Sequence, residues 1–331
     1  MDESGRGESG ASPSDTGAGM NAVKEETAKL SVASNTCLVV LKLAVGVAIG
    51  SVSIISEAVH SGVDLVAAVV AFLSVRKSGE PPDDYHSYGH GKFEDISGLF
   101  ESILIFVAAG IIMYEAVHKI LHGETGFDTG FLSAGMAVMA FSAGLNWVVS
   151  MRLMRVAKAT GSIALESDAW HLRTDVYTSL GVFAGLVLIR LTGLLWIDPL
   201  VAIGVAVLIM KAAYDLTRRS FGDLIDQRLP DRDEERIRAI ICEHYSTYVD
   251  FHAMRTRRSG PEQFIDLHMT VRKDLSVEAA HDLTDHLEAD IRTEFPRANV
   301  TIHVEPCAEE CEGCARRSVC SVSSLATGKK G

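Results

Sequence analysis

Six long apolar stretches, near residues 28–50, 52–75, 96–121, 130–154, 162–191 and 194–217, follow one another with short connections. Each reaches the roughly 20 residues that a helix needs to cross about 30 Å of hydrocarbon. Hydrocarbon supplies no water to satisfy an open backbone, so segments of this kind are confined to helices. The pattern therefore predicts an α-helical membrane protein with six transmembrane helices over residues 28–220. A large buried helical core is the competing reading, and six such runs in succession count against it. A hydrophobic content of 47% fits a chain that is partly embedded in a membrane.

The loops orient the bundle. Arg76, Lys77 and Lys92 follow the second stretch, Arg152, Arg155 and Lys158 the fourth, and Arg218 and Arg219 the sixth. Alternate loops are short or acidic, as in GETGFDTG at 123–130. Cytosolic loops carry the excess of Lys and Arg, which places both termini in the cytosol. Residues 1–27 open small, polar and acidic, without the basic and apolar regions of a signal peptide, and read as a disordered cytosolic tail. A net charge of −12 with no basic stripe excludes a nucleic-acid partner.

From Leu229 the chain becomes richly charged. A helix near 231–245, alternating segments near 250–257 and 263–271, a helix near 276–295 and a strand near 298–305 give the order αββαβ. This predicts a small cytosolic α+β domain over 229–306. Residues 307–331 form a tail with Cys307, Cys311, Cys314 and Cys320. Four cysteines so close fit either a thiolate metal site or a redox-active tail, and their spacing matches no standard zinc module.

Ionisable residues recur inside two of the apolar stretches. Ser56-Glu57-Ala58-Val59-His60-Ser61-Gly62-Val63-Asp64 and Ser167-Asp168-Ala169-Trp170-His171-Leu172-Arg173-Thr174-Asp175 share the pattern S-[ED]-A-x-H-x-x-x-D. Residues i and i+4 lie on one helix face, so His60 with Asp64, and His171 with Asp175, each form a two-ligand edge. Both pairs begin about ten residues into their helices, a rise of roughly 15 Å that brings them near mid-membrane. Two imidazoles and two carboxylates make a tetrahedral set of the kind Zn²⁺ accepts, and the two aspartates balance a divalent charge. A charge at the bilayer centre costs about 3 kcal/mol, so four ionisable groups at one depth call for a ligand. The alternative is an interhelical hydrogen-bond cluster without metal. Glu57 and Asp168 read either as acceptors for imidazole N–H groups or as helix-packing residues.

With these segments goes the loop Pro81-Pro82-Asp83-Asp84-Tyr85-His86-Ser87-Tyr88-Gly89-His90-Gly91-Lys92. Together they resemble the cation diffusion facilitator family, whose loop reads P-x-D-x-x-H-x-x-G-H-G-K, and within it the bacterial iron/zinc exporters. The resemblance runs from about residue 25 to 306. It implies a transporter rather than an enzyme: an efflux protein for divalent transition metals, homodimeric, in the bacterial inner membrane, with a ferredoxin-like cytosolic domain. Those exporters carry Asp-x-x-x-Asp where this chain has His60-x-x-x-Asp64. Imidazole in place of carboxylate favours Zn²⁺ and leaves Fe²⁺, Co²⁺ and Cd²⁺ open.

The resemblance also assigns cytosolic ligands. Asp83, His86 and His90 match a second metal site, although the residues alone fit solvated surface groups equally well. His252, His268, His281, His303 and Glu305 match a cytosolic metal cluster at the dimer interface, with Glu305 standing where relatives have Asp. His281 and His286 read equally as decoration of a helix face, and His286, which matches no family position, is left out of the set. Ligands must be deprotonated to bind metal, so proton–metal antiport through alternating access is the expected mechanism. An intramembrane metalloenzyme would need an open coordination position and a general base, and no HExxH occurs. A metal sensor would share the cytosolic histidines without needing the buried site.

Overall fold

Six long helices carry the apolar stretches: α1 Pro13–Ile49, α2 Val52–Ser78, α3 Lys92–His122, α4 Leu132–Thr160, α5 Ile163–Thr192 and α6 Ile197–Leu224. They come from a computed structural model that describes residues 13–49, 52–122, 132–192 and 197–307. The chain divides into two units, Met1–Leu224 and Ile225–Gly331. Among the described residues, Gly19–Ala48 within α1 and Lys92–His122 are long and apolar enough to cross a membrane by length and composition.

The helical unit is arranged inside out relative to a soluble protein. On α3, Ile96, Phe100, Ile103, Val107 and Ile111 face outward, while Glu94, Asp95, Ser97, Glu101 and Ser102 are buried. Large exposed apolar faces of this kind suit lipid, and polar groups in a bilayer turn toward the bundle interior. The same inversion explains a difference at the N-terminus. Residues 13–27 were expected in a disordered tail but belong to α1. Lys24, Thr27, Ser31 and Asn35 recur at helical spacing and are all buried, so these polar residues face protein rather than water. Lys24 Nζ lies 2.7 Å from Glu94 Oε1, with both side chains fully buried, and the Ser162 hydroxyl donates to the other Glu94 oxygen. Helices α1 and α3 and the connection leading into α5 are thereby tied together at one point. Residues 1–12 lie outside the described residues.

Helix α5 packs against each of the other five long helices. That central place makes its polar face an interior one. Close approach is needed at Gly98 of α3, where an added Cβ would stand 3.0 Å from Ser220 Oγ and 3.2 Å from Ile163 Cγ1 and Ser167 Oγ.

The second unit has the expected order: α7 Asp231–Glu243, β1 Asp250–Ser259, β2 Glu262–Val271, α8 Val277–Glu294 and β3 Ala298–Pro306. The sheet order is β1-β2-β3, with β1 antiparallel and β3 parallel to β2. A parallel pair needs a crossover, and α8 supplies it. Ser276 caps α8 by accepting the Ala279 N–H at 3.1 Å. Ile265, Leu267, Met269 and Val271 alternate along β2 toward a core shared with Ile237 and Ile241 of α7 and Leu287 and Ile291 of α8. The intervening residues of β2, including Asp266 and His268, therefore occupy the opposite sheet face. A one-residue bulge in β1 follows His252, and Ala253 there has φ 51°, left-handed backbone that a non-glycine residue adopts only at a cost.

Candidate metal centre

The buried site spans α2 and α5. His171 Nε2 lies 3.0 Å from Asp64 Oδ1, with side chains 11% and 4% exposed, although the residues are 107 apart in sequence. Zinc bonds of about 2.0–2.1 Å in a tetrahedron set neighbouring donor atoms roughly 3.3 Å apart. These two donors already stand close to that separation. The second ring nitrogen, His171 Nδ1, is buried and has no hydrogen-bond partner among the described residues. Asp175 follows on the same face of α5 and accepts a 3.3 Å hydrogen bond from Asn146 Nδ2 of α4. Asp168, a turn before His171, is buried, and its Oδ2 has no hydrogen-bond partner among the described residues. His60 belongs to α2 four residues before Asp64, but its side chain, like that of Glu57, lies outside the described residues.

Two contributors were missed in the sequence. Asn146 brings α4 to the site, and Lys42 of α1 donates to Ser61 Oγ at 2.9 Å, both groups being buried. Ser61 is three residues before Asp64 on α2. A lone Asn or Lys within an apolar span was the available signal, because a buried polar group there needs a partner.

The loop between α2 and α3 brings Asp83, His86 and His90 together, their donor atoms all within 4.8 Å of one another. His86 Nδ1 lies 3.1 Å from Asp83 Oδ1, and His90 Nε2 lies 3.2 Å from Asp83 Oδ2. Among the described residues, neither His90 ring nitrogen makes a hydrogen bond. Backbone N–H groups of His86 and Tyr85 donate to Asp83 Oδ1 at 2.6 and 2.9 Å. The His86 amide above all, helped by the His86 ring and the Tyr85 amide, holds the Asp83 carboxyl below the usual carboxylate range. An ionised carboxylate beside two imidazoles is a donor set suited to a borderline divalent metal. Gly89, at φ 81°, makes the left-handed turn that leads back to His90.

Strand register builds the third group. His252 pairs with His268 across β1 and β2, and His268 with His303 across β2 and β3. Their ring centroids are 5.4 and 4.9 Å apart in succession. Glu305 serves the row with both oxygens: Oε1 is 2.9 Å from His268 Nδ1, and Oε2 is 3.5 Å from His252 Nε2. His303 Nε2 is farther, 3.8 Å from Oε1. His281 does not join them within one chain. It sits on α8, in the layer on the other sheet face, 3.5 Å from Asp285 and 70% exposed. Of the tail cysteines, Cys307 is described and half-buried, its N–H donating to Val271 at 2.8 Å. Cys311, Cys314 and Cys320 lie outside the described residues.

Residues 28–225 match the family described as cation efflux transmembrane domain, and residues 229–307 match the cation efflux protein, cytoplasmic domain. The transporter sll1263 of Synechocystis is 36% identical over 279 residues, covering 84% of this chain and 89% of that protein. The cation-efflux pump FieF of Shewanella oneidensis is 30% identical over 278 residues, 84% of this chain and 92% of that one. A solved structure of CzrB in its Zn form is 43% identical, covering 26% of this chain and 97% of that one, with a TM-score of 0.25.

Proposed function

Since the chain belongs to the cation efflux, or cation diffusion facilitator, family, a family of transporters rather than enzymes, we propose that it exports divalent transition metals, Zn²⁺ first among them, in exchange for protons. The observation that carries this reading is the His171–Asp64 contact of 3.0 Å between α2 and α5. Asp175 and His60 complete a two-His, two-Asp set by their i, i+4 spacing. In the metal-free pair a proton is shared between Nε2 and Oδ1. A divalent cation arriving between them displaces that proton, and protonation from the far side releases the cation. Asn146 orients Asp175, and the rocking of helices around a fixed site exposes it to one side at a time.

All six long helices cross the bacterial inner membrane in this reading, with both termini cytosolic. The Asp83–His86–His90 and His252–His268–His303–Glu305 groups take the same class of metal on the cytosolic side. Two copies of the cytosolic domain pair, which is where His281 would meet a histidine row, supplied by the other copy.

Stopped-flow uptake into proteoliposomes, with Zn²⁺, Fe²⁺, Co²⁺, Cd²⁺ and Mn²⁺ offered at stepped pH, tests selectivity and coupling together. The expected result is flux led by Zn²⁺ and accelerated by a proton gradient opposed to the metal. Flux indifferent to the gradient would refute the coupling. Flux led by Mn²⁺ would refute the preference argued from His60.

A further inference from the structure

A second cluster of donors lies on the helical layer of the cytosolic unit, away from the histidine row on the open sheet face. His244, at the C-terminal cap of α7, places Nε2 2.8 Å from Asp290 Oδ2 of α8. His286, one turn before Asp290 on α8, directs its Nε2 at the same oxygen from 3.8 Å. The two rings meet edge to face with centroids 5.0 Å apart. One donor atom from each residue falls within 4.8 Å of the others.

We propose that His244, His286 and Asp290 form a metal site for a borderline divalent transition ion of the Zn²⁺ class, clamping the end of α7 to α8. A hydrogen bond between His244 and Asp290 accounts for the 2.8 Å contact by itself. The i, i+4 spacing sets His286 beside Asp290 on α8, and the end of α7 brings a second imidazole, from outside that helix, to the same carboxylate oxygen. Tetrahedral zinc holds its donors roughly 3.3 Å apart. Opening the shorter contact and closing the longer one by about half an ångström each reaches that geometry. Side-chain rotation suffices, because the His286 side chain is 63% and that of Asp290 41% exposed. Two nitrogens and one carboxylate oxygen suit Zn²⁺ better than Mg²⁺ or Ca²⁺, which prefer all-oxygen shells. Three protein ligands leave a fourth position for water. His244 caps one helix and the other two ligands sit four residues apart on the next, so occupancy couples elements otherwise joined through the apolar core and the 2.9 Å Arg236–Glu294 ion pair. The site stands whether or not the protein transports zinc.

Hydrogen exchange of the full-length protein in detergent, with and without added Zn²⁺, tests the assignment. Zinc at 100 times its dissociation constant is expected to slow exchange about a hundredfold where opening breaks the site. That protection covers residues 241–246 and 286–291. It disappears in His286→Ala, and in Asp290→Asn, which keeps the size of the side chain and a hydrogen-bond acceptor for His244. Protection near 252, 268 and 303 persists in both variants. Zinc-independent exchange at 241–246 in the wild type, or protection there that survives both substitutions, overturns the proposal.

Discussion

Removing one partner of the Lys24–Glu94 pair is the sharpest test of how the helical unit holds together. The charges are 2.7 Å apart with both side chains fully buried, so no discount for solvent screening applies. At an effective dielectric of about 20, their attraction is roughly 6 kcal/mol. Desolvation offsets most of that in the intact protein, but deleting one member leaves an uncompensated buried charge, a loss of about 3–5 kcal/mol. For a unit of this size, 1 kcal/mol corresponds to roughly 2–4 °C, so Lys24→Ala or Glu94→Ala should lower Tm on the order of 10 °C. The double variant Lys24→Leu/Glu94→Leu removes both charges and should recover most of the loss. Thermal melts of the purified full chain in one detergent measure all three. Single variants that melt with the wild type, or a double variant as damaged as the sum of the singles, would refute the buried-pair argument.

Two further outcomes follow from packing and titration. Gly98→Ala pushes a methyl group into Ser220, Ile163 and Ser167 at 3.0–3.2 Å and should destabilise the α3–α5–α6 contact by about 1–3 kcal/mol, read as a lower Tm of the full chain. In the cytosolic unit, burial pushes the Tyr248 hydroxyl up from 10.0 to about 12, while it donates to the Ile241 carbonyl at 3.1 Å. The unfolded chain ionises first, so the stability Tyr248 contributes is full below pH 10 and is lost as pH rises toward 12. Absorbance titration of tyrosinate alongside circular dichroism should show Tyr248→Phe abolishing that part of the alkaline loss.

Much of the architecture was legible because two periodicities carried it. Ile237, Ile240 and Ile241 on α7 and the alternation from Ile265 to Val271 on β2 follow helix and strand spacing directly. The His171-x-x-x-Asp175 edge was readable for the same reason. The start of α1 was not: Lys24 and Thr27 look like solvated tail residues, and only their burial shows that polar means interior here. Asn146 and Lys42 gave a signal too weak to place, since a lone polar residue in an apolar span does not name its partner. The histidine row depends on strand register, which aligns His252, His268 and His303 only once the bulge after His252 is counted. His286 was left out because it matches no family position, and its partner His244, 42 positions earlier in the chain, offers no local pattern that would have restored it.

The central claim is that Asp64, His171 and Asp175 hold the transported metal inside the helical unit. Zinc flux into proteoliposomes, comparing wild type with Asp64→Ala and Asp175→Ala at equal reconstitution, tests it most directly. The account predicts that either substitution abolishes flux while Zn²⁺ binding at the cytosolic groups survives. Wild-type flux in both variants would contradict it and move the transport site elsewhere in the protein.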